Sequence, residues 1–128
     1  MIARREFAEQ LSPLDLADFR ALALVICESD GLGFYNGGAA AGASQRHKHV
    51  QWLPEAPDNP GLAMLAAGLP SDAAELSSAS HPGLPLKHCF VRVDARVGTS
   101  VEQAARSMHR AFELACMKLE MNTDDSGL

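Results

Sequence analysis

Polar and apolar residues alternate most regularly over His47-Lys48-His49-Val50-Gln51-Trp52. Strand side chains point to opposite faces in turn. His47, His49 and Gln51 therefore share one face, and Lys48, Val50 and Trp52 the other. The pattern predicts a strand over 47–53, stopped by Pro54, which cannot donate to a ladder. Leu86 to Asp94 alternates as well and predicts a strand with His88, Phe90 and Arg92 on one face. Shorter runs at 1–8 and at Leu32–Asn36 predict two more. Two other stretches repeat at helical spacing. The first should start at Ser12-Pro13, with Ser12 as cap, Pro13 in the first turn and Asp15 reaching back. It runs to about Ser29, turns Phe19, Leu22, Ala23, Ile26 and Cys27 to the core, and stops at Asp30-Gly31. The second should be capped by Thr99, with Glu102 completing a capping box. Its stripe is Val101, Ala104, Ala105, Met108, Phe112, Ala115 and Leu119, ending near Met121.

Between these elements lie two long connections. Residues 37–46 hold Gly37, Gly38, Gly42 and Ser44 and should join the strands around them as a wide hairpin. Residues 54–85 contain six of the seven prolines and read as a surface excursion, with a short helix near 60–68. The polar tail 122–128 should fray. Antiparallel strands covered by helices make an α+β fold.

Composition narrows the picture. A chain of 128 residues is one domain's length, and 47% apolar with 21% charged residues suits a globular protein. A net charge of -5 gives no general basic field for nucleic acid. The local exception is Arg46-His47-Lys48-His49, where positive charge suits a polyphosphate. Cys27, Cys89 and Cys116 are far apart and form no CxxC, which points to reduced, buried thiols of a cytoplasmic protein. No apolar run approaches a membrane span. The first residues lack the apolar segment of a signal peptide.

Two imidazoles and an amide on one face, entered from a glycine-rich loop, suggest a site that holds phosphate and attacks it. A neutral imidazole is a competent nucleophile when one nitrogen is bare and the other hydrogen-bonded. His49, in the middle of the triplet, is the best nucleophile. His47 would orient it or donate to phosphate, and Gln51 would position oxygens without titrating. Gly37, Gly38, Ser44 and the loop amides would cradle the phosphates, with Asn36 donating at the loop's start. Other readings stay open: an ordinary polar sheet face, or a zinc site, for which no neighbouring Asp, Glu or Cys completes the set. The loop matches neither the Walker pattern nor GxGxxG. Trp52 should be core, and His81 and His109 exposed. His88 and Arg92 either reach the site strand or lie in packed or solvated positions.

Residues 34–54, FYNGGAAAGASQRHKHVQWLP, resemble the signature of the diadenosine tetraphosphate phosphorylases, also called ATP adenylyltransferases. These belong to the histidine-triad superfamily, in the transferase branch that carries HxHxQ. REFAEQLSPLDLADFRAL and LPLKHCFVRVD resemble the flanking segments. The resemblance implies a single histidine-triad-like domain over 1–128 with a variable insertion at 54–85. It implies that His49 attacks the α-phosphorus and forms a nucleotidyl-histidine, and that inorganic phosphate then takes the nucleotidyl group. Diadenosine tetraphosphate would yield ATP and ADP. His47, Gln51, Asn36, Ser44 and Gln45 would bind phosphate oxygens. No resident cofactor or metal is implied; Mg2+ would come only with the nucleotide. Arg46 stands where the family commonly has proline. Members of the family are longer at both ends, so the chain resembles their catalytic core. Its sheet edges would be exposed, and a homodimer would cover them. A nucleotide-binding remnant without turnover and a hexose-1-phosphate uridylyltransferase relative are the alternatives.

Overall fold

The computed structural model describes residues 1–54 and 60–121. The tail 122–128, expected to fray, and residues 55–59 of the expected excursion lie outside the described residues. Helix α1 (Leu16–Ser29) starts one turn later than Ser12-Pro13 predicts, because a better cap follows. Asp15 is extended, its carboxylate accepts from the Asp18 N–H at 3.1 Å, and Asp18 returns the favour to the Asp15 N–H at 2.9 Å. That is a capping box with aspartate at both corners. Burial pushes the Asp15 carboxyl up, but the Arg4 guanidinium and the Asp18 amide outweigh it and hold it below its usual range.

The helix ends where expected. Asp30 and Gly31 both have positive φ, 58° and 108°. A methyl on Gly31 would stand 2.4 Å from the Leu53 carbonyl oxygen and 2.6 Å from Trp52 Nε1. Both the angle and the space favour glycine. Gly31→Ala should therefore cost about 1–3 kcal/mol in chemical denaturation followed by fluorescence of the one tryptophan. An unchanged midpoint would refute this.

The chain then forms the expected wide hairpin. Strand β2 (Leu32–Phe34) runs antiparallel to β3 (His49–Leu53), with Phe34 opposite Gln51 and Leu32 opposite Leu53. The short β1 (Ile2–Ala3) pairs with the other edge of β3, Ile2 opposite Val50 and Ala3 opposite His49. The order β1-β3-β2 makes the motif strand central. His47 lies outside it, in an isolated bridge to Glu9, so β3 begins two residues later than the alternation predicts.

Helix α3 (Val101–Lys118) packs on α1. Ala23, Ala104 and Ala105 have no exposed surface, and these small side chains permit the close approach. Leu14, Phe19, Cys27 and Val50 complete the core, with Met108 and Phe112 against it. Ser100 caps α3, not Thr99: its hydroxyl accepts from the Gln103 N–H, while the Thr99 hydroxyl accepts from the Arg96 N–H. Glu102 does not fold back to the cap. It takes both Arg20 Nη2 and Nε, at 2.9 and 3.0 Å, and Arg106 at 3.1 Å, tying α1 to α3.

Those two guanidiniums draw the Glu102 carboxyl from an ordinary 4.5 to about 2. Its stabilising effect is complete above about pH 4.5 and lost as pH falls toward 2. The stability difference between wild type and Glu102→Gln should shrink across that window. A difference that stays constant with pH would contradict the assignment. Because the pair is exposed, the difference is small at every pH.

The strand expected over 86–94 is much shorter. Only Phe90–Val91 (β5) is extended and paired, and its partner β4 (Ser78–Ala79) comes from inside the expected excursion. Two further backbone bonds prolong the pairing, Leu76 N–H to Arg92 O and Arg92 N–H to Ser77 O. Pro82 and Pro85 precede the strand and lack the N–H that a longer ladder would need. The result is a second, two-stranded sheet separate from β3 among the described residues. Helix α2 (Pro60–Ala67) lies where a short helix was expected. With small antiparallel sheets and three helices, the fold class is α+β.

The three cysteines are free. Burial raises the Cys27 and Cys116 thiols, as suits inert core side chains. No helix among the described residues is long and apolar enough to cross a membrane.

Candidate active site

Lys48 and Val50 turn toward α1. Val50 is core, and Lys48 is 3% exposed with its ammonium 2.8 Å from Asp18 Oδ2 and 2.5 Å from the Pro13 carbonyl oxygen. Asp18, 7% exposed, also receives Arg4 Nε at 3.0 Å, and Arg4 bonds Asp15 as well. The start of α1 is thus fastened to the strand from behind.

His49 takes the opposite face and is 3% exposed. Its Nδ1 stands 2.9 Å from the His47 carbonyl oxygen. A carbonyl only accepts, so Nδ1 carries the proton and Nε2 the lone pair. The backbone of His49 is held by a residue the motif does not contain. Gln10, also 3% exposed, accepts from the His49 N–H at 2.7 Å through Oε1. Its Nε2 donates to the His49 carbonyl at 3.2 Å and to the Asn36 carbonyl at 2.7 Å. Gln10 escaped sequence reasoning because a glutamine beside Leu11, between predicted elements, looks like loop surface.

His47 is engaged differently. Its Nε2 is 2.6 Å from the Arg4 carbonyl oxygen and so donates to it, while Nδ1 faces the Ala8 N–H at 3.5 Å. Its ring stacks on Phe7 with centroids 5.6 Å apart. Both nitrogens are occupied by the backbone of residues 4–8. Gln51 is half-buried on β3.

The glycine-rich loop folds back on itself. Gly38 has φ 99°, its N–H bonds the Asn36 carbonyl at 2.9 Å, and its own carbonyl accepts from Ala41 and Ala43 at 3.1 and 3.0 Å. One 3-10 turn, Ala39–Ala41, follows and ends at Gly42, also left-handed. A cleft of 250 Å³ opens beside it, lined by Gly38, Ser44, Gln45 and Arg46 on the loop and by Glu9 and Gln10 across from it. Arg46 and Glu9 form an exposed ion pair of 2.6 Å there. Three of the expected phosphate residues, Gly38, Ser44 and Gln45, therefore share one cleft. Asn36, Gly37, His47, His49 and Gln51 do not line it. Gln10 touches both groups: its side chain bonds the backbone of His49 and Asn36, and it lines the cleft.

Elsewhere, His88 and Arg92 belong to the second sheet's surroundings. His88 Nε2 accepts from the His81 N–H at 2.8 Å, and Arg92 Nη1 donates to the Ser71 carbonyl at 3.0 Å. His81 and His109, expected exposed, are half-buried. The His81 Nδ1 accepts from the Gly83 N–H, and His109 tilts against Phe19 at 5.8 Å. Trp52 is half-buried rather than core, its indole N–H donating to the Asp30 carbonyl at 2.7 Å. Among the described residues no three His, Cys, Asp or Glu side chains are grouped to hold a metal.

A family model described as the Ap4A phosphorylase N-terminal domain matches residues 1–66. The match spans Gln10, α1, the glycine-rich loop and the histidine motif. No curated protein and no solved structure matches the chain.

Proposed function

The chain belongs to the Ap4A phosphorylase family, and on that premise we propose that it is a nucleotidyltransferase that phosphorolyses dinucleoside polyphosphates through His49. In this reading Nε2 of His49 attacks the α-phosphorus of diadenosine tetraphosphate. A phosphorus–nitrogen bond forms, the α–β bridging P–O bond breaks, and ATP leaves. An oxygen of inorganic phosphate then attacks the same phosphorus, the phosphorus–nitrogen bond breaks, and ADP leaves with the lone pair restored to Nε2. The proton on Nδ1 stays in place throughout. The observation that carries the proposal is the 2.9 Å bond from Nδ1 to the His47 carbonyl. It fixes the productive tautomer and steadies the positive charge the ring gains on attack.

Gly38, Ser44 and Gln45 would take the polyphosphate in the cleft, with Asn36 and Gly37 at its start. His47 and Gln51 would flank the reacting phosphorus, His47 after giving up its backbone partners. His49 is nearly covered as a residue, but its Nε2 is not sealed off, and in this reading the α-phosphate approaches the ring there. Nucleotide and inorganic phosphate are the partners, with Mg2+ at most carried by the nucleotide.

A second reading, nucleotide binding without turnover, is favoured by one observation: His49 does not line the cleft. The deciding experiment uses diadenosine tetraphosphate radiolabelled at the α-phosphorus, without inorganic phosphate. Covalent label on the protein, discharged as ADP when phosphate is added, supports the transferase. Calorimetric binding with neither adduct nor turnover supports the second reading and removes the first.

A further inference from the structure

Gln10 is a neutral side chain with nearly all of its surface removed from water, and burying an amide is costly unless its hydrogen-bonding capacity is used. Its oxygen and nitrogen both address the peptide groups of His49, at 2.7 and 3.2 Å. The same nitrogen addresses Asn36, the residue at the mouth of the glycine-rich loop, at 2.7 Å. On its own strand neighbours His49 faces only the two-residue β1, where Ala3 lies opposite. On the other side β2 stops short of it, its pairing ending at Phe34 opposite Gln51, and Gln10 supplies as a side chain a rung that β2 does not. Its own backbone is fixed in turn. The Gln10 N–H donates to the Arg46 carbonyl at 2.7 Å, and the Tyr35 hydroxyl bonds the Gln10 carbonyl and the Ser12 carbonyl.

From this geometry we propose that Gln10 is a positioning residue that sets the rotation and tautomer of the His49 ring and couples them to the phosphate-binding loop. It does not touch the reacting atoms; it acts through the His49 backbone. The bond from Nδ1 to the His47 carbonyl spans only two residues, so it is sensitive to a small rotation of the His49 peptide. When the rung is lost, the ring is free to exchange its proton between nitrogens, and the tautomer with a bare Nε2 becomes one of two. A ligand that pulls on the loop at Asn36 reaches His49 through the same amide. This role rests on the proposed use of His49 as nucleophile, but its first readout does not.

The test compares wild type with Gln10→Met, which keeps the side chain's length and removes its polar atoms. Protein labelled with 15N-histidine, with the His49 signals assigned from a His49→Ala spectrum, reports the tautomer directly. Wild type should show a protonated Nδ1 and a bare Nε2; Gln10→Met should show the two nitrogens averaged. The rate of covalent labelling from α-labelled diadenosine tetraphosphate should fall about 10–100-fold, the scale of a small misplacement of reacting groups. Because Gln10 also forms one wall of the cleft and holds Asn36, nucleotide affinity by calorimetry should fall as well, but by clearly less than the labelling rate, so that most of the loss lies in the chemical step. Should Gln10→Met not fold, Gln10→Glu carries the same readouts. As a carboxylate it keeps the acceptor for the His49 N–H and loses both donors, and its tautomer should again average. An unchanged tautomer in a folded variant overturns the proposal, even if thermal stability drops. If wild type forms no adduct at all, the transferase reading fails, and the tautomer comparison still decides what Gln10 does.

Discussion

His49→Ala is expected to abolish covalent capture of nucleotide and to lower phosphorolysis of diadenosine tetraphosphate by a factor on the order of 10⁴–10⁶, the scale on which a covalent mechanism suffers when its nucleophile is removed. The variant should fold. The side-chain bond assigned to the His49 ring goes to the carbonyl of His47, two residues away, and the Gln10 clamp grips the backbone, which alanine retains. Circular dichroism and the tryptophan fluorescence should therefore match wild type while the adduct disappears. Binding of the nucleotide should persist, since Gly38, Ser44 and Gln45 are untouched. Labelling of His49→Ala at the wild-type rate would place the nucleophile elsewhere and end the proposed mechanism. His47→Ala is the informative contrast. Its ring nitrogens hold the Arg4 carbonyl and face the Ala8 N–H, so its loss should loosen residues 4–8 as well as slow the reaction.

Much of this arrangement was legible beforehand, for identifiable reasons. The alternation around His49 is strict, and a one-residue slip would turn Val50 out of the core. The face assignment of Lys48 and Val50 against His49 follows from that alone. The ends of the elements were harder, because several residues compete to cap. Ser12 and Asp15 both suit an N-cap, and Asp15 wins because Asp18 reciprocates. Thr99 and Ser100 compete in the same way. The 86–94 strand misled for a different reason. Its alternation is real, but a strand exists only with a partner, and the partner is Ser78–Ala79, inside a segment that composition marks as loop. Two residues organise the site without announcing it: Gln10 has no local signature, and that of Asp18 shows only its place in the helix cap. Their burial comes from long-range contacts, to His49 and to Lys48, that no periodicity announces. The cleft is likewise invisible in sequence, since its two walls, Glu9-Gln10 and residues 44–46, are brought together by folding.

Asp18→Asn is expected to cost about 3–5 kcal/mol, the usual loss when one partner of a buried ion pair is removed. Lys48 is almost wholly buried, and apart from Asp18 its ammonium has the Pro13 carbonyl. Neutralising Asp18 leaves that charge in a low-dielectric interior with only neutral acceptors at hydrogen-bond distance and the Asp15 carboxylate acting from further off. For a domain whose total stability is on the order of 5–15 kcal/mol, this is a large share. Thermal melting should fall by about 10–20 °C. The loss should be recovered in part by adding Lys48→Met, which removes the stranded charge and keeps the volume. Buried pairs are often replaceable by apolar groups even where breaking them is harmful. Full additivity of the two single losses would show that the side chains are not coupled, against the 2.8 Å contact. The pair also bears on function. Lys48 sits between the two histidines, and Asp18 belongs to the cap of α1, so their bond sets the register of β3 against the helix. The Asp18→Asn/Lys48→Met double variant should fold and keep the His49 tautomer, because Gln10 holds that face independently. If the tautomer were lost along with the ion pair, the strand would be positioned from behind, and the rung supplied by Gln10 would be secondary.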